Sequence, residues 1–255
     1  MKTTNTGFGA ALLAALLLLI SATRAQADTT LVYKGGEGRL EISMRPGEIR
    51  IDDTGEGWQL YRADDQTIFS VQPRDTAYTR LDKNAAATIR DQMAGLRARM
   101  ENRLQQLPEA QRAAARAAML SQVPGLDADP QQVGLDRTGR TDTVAGVSCN
   151  VIQIVRSGEA AESLCVADAD DLALSEQTFA TVKSMFSLLQ TILAGTGMDT
   201  VGLPYLKLSG MPVRFVDSAT GQRRELVDVS HEPIDDARFD IPDGYVEQAV
   251  SSPAP

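Results

Sequence analysis

The sequence predicts an α+β protein in which an antiparallel sheet is covered by about three amphipathic helices. Apolar and polar residues alternate with period two in segments near both ends of the chain, which is typical of strands with one face exposed to water. Between these segments, three stretches carry apolar residues at spacings of three and four, which is typical of amphipathic helices. Because such a sheet and such helices each leave an apolar face, we expect them to cover one another.

The first 27 residues have the pattern of a cleavable signal peptide. Lys2 precedes an apolar run from Phe8 to Ile20, which is shorter than the roughly 20 residues of a membrane-spanning helix. The small residues Ala25 and Ala27 follow as a cleavage site. The sequence therefore predicts export to the periplasm, cleavage after Ala27 and no membrane segment in the mature chain, with an uncleaved anchor as the alternative.

The strands begin soon after the predicted cleavage site. Leu40, Ile42 and Met44 share one face of the first clear strand. Pro46-Gly47 predicts a turn, because proline presets the first central angle and glycine accepts the second. The following segments fit further antiparallel strands: Ile49 to Ile51, Trp58 to Arg62, Thr67 to Gln72 and Asp75 to Leu81.

The helices are predicted from composition and spacing. The segment from Asp82 to Gln122 is rich in Ala, Arg, Gln, Leu and Met, and Pro108 divides it into two helices. A third helix fits Ser175 to Leu193, with Ser175 as its N-cap. The stripe of the first helix is Ile89, Met93, Leu96, Met100, Leu104 and Leu107. The stripe of the third is Phe179, Val182, Met185, Phe186, Leu189 and Ile192.

More strands are predicted after the second helix. Gln132 to Gly146 fits a hairpin turned near Thr138-Gly139, and Met211 to Asp217 and Arg223 to His231 fit a pair of strands. Arg238 to Ile241 fits a last short strand. We therefore expect residues 28–245 to form a single domain and residues 246–255 to be a disordered tail.

Cys149 and Cys165 are the only cysteines, and an even number in an exported protein predicts a disulfide. They lie on two strands that flank Arg156, Ser157 and Gly158. A three-residue loop there would place the cysteines directly opposite each other, whereas a two-residue loop would turn one thiol to the other face. The bond should contribute about 3 kcal/mol in the chain-entropy model. A redox-active pair is the alternative, although the C-x-x-C pattern is missing.

The charge of the mature chain argues against nucleic-acid partners. Removal of residues 1–27 leaves 228 residues with 23 basic and 34 acidic side chains, a net charge of −11. Such a surface disfavours nucleic acids and anionic lipid head groups.

Residue patterns typical of enzymes are missing from the sequence. His231 is the single histidine, and the G-x-S-x-G, G-x-G-x-x-G and P-loop patterns are all missing. We expect His231 to pack on a half-buried strand. The acidic group Asp168, Asp170 and Asp171 lacks EF-hand spacing and is typical of residues before a helix. The sequence therefore predicts a non-enzymatic protein with no metal and no cofactor.

Several segments resemble a known family. The most specific are Gly146-Val147-Ser148-Cys149 and Phe239-Asp240-Ile241-Pro242-Asp243-Gly244-Tyr245. Others include Gly47-Glu48-Ile49-Arg50-Ile51 and Leu107-Pro108-Glu109-Ala110-Gln111-Arg112. On these residues the chain resembles the DUF4412 family of Gram-negative periplasmic proteins, a domain of unknown function similar in fold to the outer-membrane lipoprotein carriers.

The resemblance implies a sheet curved into an open half-barrel whose concave face is covered by the helices, with an apolar cavity between them. It brings no catalytic residues. Eleven residues from one strand and the first and third helices are predicted to face this cavity. They are Leu40, Ile42, Met44, Ile89, Met93, Leu96, Met100, Phe179, Val182, Met185 and Phe186.

Two functions remain open from the sequence. The first is a monomeric periplasmic binding or carrier module for a lipid, acyl chain or other apolar ligand, which needs an open cavity. The second is an envelope interaction or sensor protein that docks a partner protein on the same sheet and has no ligand, which needs a filled core and an exposed apolar patch. Methionines such as Met93 and Met185 suit either a packed core or an adaptable ligand pocket.

Overall fold

The computed structural model describes residues 28–36, 38–53, 55, 57–120, 133–194 and 203–250. The predicted signal peptide at 1–27 lies outside these residues, as do 251–255 of the predicted tail. The strands are β1 (Thr29–Gly35), β2 (Gly38–Arg45), β3 (Glu48–Asp53), β4 (Trp58–Arg62), β5 (Thr67–Gln72), β6 (Ala77–Leu81), β7 (Val133–Val144), β8 (Val147–Arg156), β9 (Glu159–Asp168), β10 (Gly210–Asp217), β11 (Arg223–Ser230) and β12 (Val246–Gln248). The helices are α1 (Lys83–Gln105), α2 (Glu109–Leu120), α3 (Glu176–Leu193) and α4 (Leu203–Leu206).

All the strands belong to one open sheet, in the order β12-β6-β5-β4-β3-β2-β1-β11-β10-β9-β8-β7. Neighbouring strands are antiparallel except β12 and β6, which are parallel. The predicted α+β class, with an antiparallel sheet and three main helices, is confirmed.

The inner face of the sheet is the face that α3 covers. Leu31, Tyr33, Met44 and Ile49 lie on this face and are almost completely buried. Hydrogen bonds fix the helix on it, since the Gly47 amide donates to the Thr181 hydroxyl at 2.9 Å. The predicted turn at Pro46-Gly47 is present, and Gly47 has a φ of +88°. The predicted cap is also confirmed, because the Ser175 hydroxyl accepts from the Thr178 amide.

The outer face is covered in part by the segment that follows β11. Phe239 is fully buried there against the side chains of β4 and β5. Arginines of the neighbouring strands line its site, with the Arg45 guanidinium 4.2 Å from the Phe239 ring centroid and Arg50 3.8 Å from that of Trp58. The last short strand predicted at Arg238 to Ile241 is wrong, since Asp236–Phe239 is a 3-10 turn that places Phe239 against the sheet.

Two further predictions about strands are wrong. The segment predicted to turn near Thr138-Gly139 is the single strand β7, in which an irregularity between Arg137 and Thr141 absorbs the glycine. Residues 246–248 of the predicted disordered tail form β12 beside β6. In both cases pairing with a neighbouring strand decides the conformation, and that neighbour is not visible in the local pattern.

The disulfide between Cys149 and Cys165 is confirmed, with Cα atoms 5.3 Å apart. The predicted loop and register are wrong. Ser157-Gly158 form a two-residue turn, and both residues have positive φ. Ala161 is then an extra residue in β9, a bulge that restores the shared face. Cys165 lies opposite Val151, so the bond runs diagonally between the strands rather than straight across.

Candidate functional site

Most of the residues predicted to face a cavity lie instead in the packed core between α3 and the inner face. Met44, Val182 and Met185 are buried there. The partly buried members that pack against this core are Leu40, Ile42, Ile89, Phe179 and Phe186. These side chains form one packed cluster in the region where the sequence predicted an apolar cavity.

The other three members of the predicted set are not in that core. Met93, Leu96 and Met100 pack with Leu104 and with residues of α2, among them Met119. The expectation that this whole stripe faces the sheet is therefore wrong for the second half of α1. The physical reason is proximity along the chain: α2 follows α1 after a short connection, so its apolar side is the nearest surface that can cover the stripe.

An open pocket of about 600 Å³ lies at one end of the sheet, beside this core. The ends of β1, β2, β9, β10 and β11 meet there. Its apolar lining includes Leu40, Phe215 and Val216. The Phe215 ring is held edge-on against buried Tyr33, with ring centroids 5.9 Å apart, and Leu40 is the cross-strand partner of Tyr33. The pocket thus opens from the inner face, and one predicted residue, Leu40, lines it.

Charged residues of both signs form the rim of the pocket. Arg223 and Arg224 lie at the start of β11, Glu162 lies in the first half of β9, and Asp217 is the last residue of β10. Arg224 faces Asp53 at 3.4 Å across the sheet. These groups give the pocket an apolar floor and a polar entrance, the arrangement of a site that orients an amphipathic molecule.

Hydrogen bonds fix the two carboxylates of the rim. Asp217 accepts from the amides of Ala219 and Thr220 at 3.0 and 2.7 Å. The bonds from Thr220 hold the pKa of Asp217 below its usual value, so this carboxylate is charged at neutral pH. Glu162 accepts from the Arg156 guanidinium at 2.9 Å and from the Tyr205 hydroxyl at 3.2 Å.

Tyr205 connects the pocket to α3. Its ring stacks on Phe186, with centroids 5.1 Å apart and planes 7° from parallel. Burial raises the pKa of Tyr205, so its hydroxyl stays protonated and donates to Glu162. Phe186, which was predicted to touch a ligand, therefore supports the pocket from behind, through Tyr205.

His231 and the acidic group Asp168, Asp170 and Asp171 do not line the pocket. His231 is exposed just after β11, with Nδ1 3.3 Å from the Thr29 hydroxyl, so the prediction that it packs on a half-buried strand is wrong. Within the described parts of the chain, no group of three or more His, Cys, Asp or Glu side chains could hold a metal ion. No described helix is long and apolar enough to cross a membrane.

Sequence reasoning missed most of the pocket lining. Phe215 was part of a predicted strand, but nothing local distinguished its side chain from others that face a core. Arg223, Arg224 and Glu162 are polar residues at strand ends, where polar residues are common. The pocket forms where five strands from distant parts of the sequence come together. No local sequence pattern indicates that arrangement.

A family model described as "Domain of unknown function (DUF4412)" matches residues 98–245, more than half of the chain. The chain belongs to this family. The DUF4412 segment begins within α1 and ends at Tyr245, so it contains the disulfide hairpin, α3 and the outer-face segment around Phe239. Comparison with curated proteins gives no significant match.

Several solved structures share a remote likeness. Two crystal forms of PNGF-II match with TM-scores of 0.41 and 0.40 and identities of 8% and 9%, each over 88% of this chain. The chain spans about a third of the length of PNGF-II, 32% and 31% in the two forms. The MucA/MucB complex of Pseudomonas aeruginosa matches with a TM-score of 0.27 and 13% identity, over 84% of this chain and 56% of that one. At these scores the likenesses carry no argument about function.

Proposed function

We propose that this DUF4412 protein is a non-enzymatic periplasmic module that binds or carries a lipid, an acyl chain or another apolar ligand. The observation that carries the proposal is the pocket at the end of the sheet. Its volume of about 600 Å³ falls within the roughly 300–1,000 Å³ typical of small-molecule sites. Leu40 and Phe215 offer apolar surface to the ligand, and the charged rim offers partners to a polar head group.

The proposed ligand differs in position from the one that the sequence suggested. Because the predicted residues pack in the core, we place the ligand at the end of the sheet. There Leu40 and Phe215 extend the apolar surface of the core to solvent. An acyl chain would lie along this surface. Its head group would stay at the mouth, where Arg223 and Arg224 can donate to anionic oxygens while Glu162 and Asp217 accept from donors.

The proposed compartment has independent support. Disulfides persist in oxidising compartments such as the periplasm, and the bond between Cys149 and Cys165 closes a hairpin of the core sheet. The predicted signal peptide at 1–27 would deliver the chain there.

The test is a titration of the mature protein with a fluorescent fatty acid. Leu40→Trp places a larger ring in the pocket and should weaken uptake at least about fivefold, because the ring occupies the volume that the ligand needs. Val227→Trp is the matched control, since Val227 is 45% exposed on β11 and does not line the pocket. It should bind like the wild type.

Two results would contradict the proposal. One is a wild-type protein that takes up no fatty acid, and the other is an equal loss of uptake in both tryptophan variants. Melting temperatures of all three proteins would show whether a loss of uptake reflects the pocket or the fold.

The second candidate function is docking of an envelope protein without a ligand. It is favoured by β7, a twelve-residue strand at the edge of the sheet, whose outer backbone groups are available to a further strand. Absence of fatty-acid uptake by the wild type would leave docking as the remaining candidate.

A further inference from the structure

Charge is distributed very unevenly between the hairpin of α1 and α2 and the rest of the mature chain. The hairpin of α1 and α2, residues 83–120, holds seven basic and three acidic side chains, a net charge of +4. The rest of the mature chain holds 16 basic and 31 acidic side chains, a net charge of −15. An overall acidic protein thus carries one basic element.

Much of the hairpin packs on itself. α1 has 23 residues and is about 35 Å long at the usual rise per residue. Its first turns pack against α3 and β6, whereas the described members of the cluster around Met93, Met100 and Leu104 are hairpin residues. Because charges are screened beyond about 8 Å at physiological salt, the potential at the surface of the hairpin depends mainly on the charges nearest to it, and the hairpin's own charges sum to +4.

Four arginines are exposed along the hairpin: Arg99, Arg103, Arg112 and Arg116. Arg116 pairs with Glu101 at 2.7 Å, and Arg112 donates to the Leu107 carbonyl oxygen at 3.0 Å. Among the described residues, Arg99 and Arg103 pair with no carboxylate. The hairpin therefore has basic groups available to an external anion.

The shape of the hairpin favours a broad anionic partner. Side chains such as Leu104 and Met119 pack together between α1 and α2, so the described apolar residues of the hairpin face one another. The exposed side of α2 carries small alanines between its arginines, and the large exposed apolar residues of the described chain, Val227 and Val246, lie elsewhere. A surface of this kind adsorbs to a plane of phosphates through charge, without inserting apolar side chains.

We infer that the α1–α2 hairpin docks the protein on the anionic head groups of a phospholipid bilayer. The net charge of the mature chain predicted that anionic lipids are disfavoured, and docking through the α1–α2 hairpin reverses that expectation for this part of the protein. Docking would bring the protein to a membrane independently of whether the pocket holds a ligand.

The experiment is co-sedimentation of the mature protein with vesicles of phosphatidylglycerol and phosphatidylcholine in equal amounts, and with vesicles of phosphatidylcholine alone. The wild type should bind the first and not the second, and added salt should release it. The variant R99A/R103A/R112A/R116A should bind the anionic vesicles at least about tenfold more weakly. The control R39A/R74A/R137A/R140A removes the same charge from exposed positions on the sheet and its turns, and it should keep most of the binding.

Three outcomes would overturn the inference: no binding of the wild type to anionic vesicles, equal losses in the two variants, or binding that salt does not weaken. The first of these outcomes would leave an acidic protein as the partner of the hairpin. Circular dichroism and melting temperature would show that both variants are folded. Because Arg99, Arg103, Arg112 and Arg116 do not line the pocket, a loss of vesicle binding in the first variant with unchanged fatty-acid uptake reports on the hairpin and not on the pocket.

Discussion

The third helix and the α1–α2 hairpin carry the same kind of apolar stripe but bury it in different ways. Met185 on α3 and Met100 on α1 are both only 8% exposed. Met185 packs in the core that joins α3 to the inner face of the sheet, whereas Met100 packs among residues of its own hairpin.

An amphipathic stripe of apolar residues therefore predicts that these residues are buried, but it does not identify the element that they pack against. The α3 core includes residues from β1, β2, β3, β4 and β11, so its loss would unfold the sheet. Among the described residues, the α1–α2 cluster includes only residues close in sequence, so we expect it to open while the sheet remains folded. We therefore expect the two helical regions to respond differently to the same substitution.

The largest expected effect comes from matched truncations at the two methionines. Met185→Ala should lower the free energy of global unfolding by about 2–5 kcal/mol, because it leaves a cavity in the shared core. Met100→Ala should lower it by much less, since the hairpin can unfold locally. Urea denaturation gives the global values, and hydrogen exchange should show faster exchange confined to α1 and α2 for Met100→Ala.

Equal losses of global stability at the two positions would contradict this distinction. They would mean that the hairpin and the sheet unfold as one cooperative unit.

A smaller effect is expected from enlarging the same core position. Met185→Trp should overpack the filled space between α3 and the sheet and cost about 1–3 kcal/mol. It should leave fatty-acid uptake unchanged, because Met185 does not line the pocket that contains Leu40. Thermal melts beside the fatty-acid titration would test both parts. A stable variant with impaired uptake would instead place the ligand in the core.

The smallest effects are expected at the helix caps. Ser175 and Asp82 each cap a helix through hydrogen bonds from backbone amides, so replacement by alanine should cost about 1 kcal/mol in each case. The loss at Ser175→Ala should appear in global unfolding. The loss at Asp82→Ala should appear mainly as faster hydrogen exchange in α1.

The two caps should also differ in pH dependence. The amide of Ala85, and after it that of Asn84, hold the pKa of Asp82 below its usual value. The contribution of the Asp82 carboxylate to the stability of α1 is therefore present above its unfolded-state pKa of about 3.9. It is lost as the pH falls through the lower pKa of the folded state. Exchange in α1 of the wild type should approach that of Asp82→Ala in acid, whereas the effect of Ser175→Ala should not change with pH.

The local features of the fold were largely predictable. The alternation of Leu40, Ile42 and Met44, the turn at Gly47 and the cap at Ser175 follow from interactions between residues near in sequence. Features that need a distant partner were missed. The sequence predicted a strand at Phe239, but this residue packs on the outer face against arginines and aromatic residues of β2 to β5. These partners lie almost 200 residues earlier, so the local pattern around Phe239 does not indicate them.

The sequence alone predicted the three main helices and most of the strands, the pairing of the two cysteines and which apolar faces must be covered. Those properties depend on the spacing of apolar residues along the sequence and on the chemistry of each residue, and both are local. Only the tertiary structure decided that Ala161 bulges to align Cys165 with Cys149, that Met100 packs on α2, and that Leu40 and Phe215 meet at an open pocket. These depend on which of several similar apolar surfaces come together, and that choice is made by the packing of the whole chain.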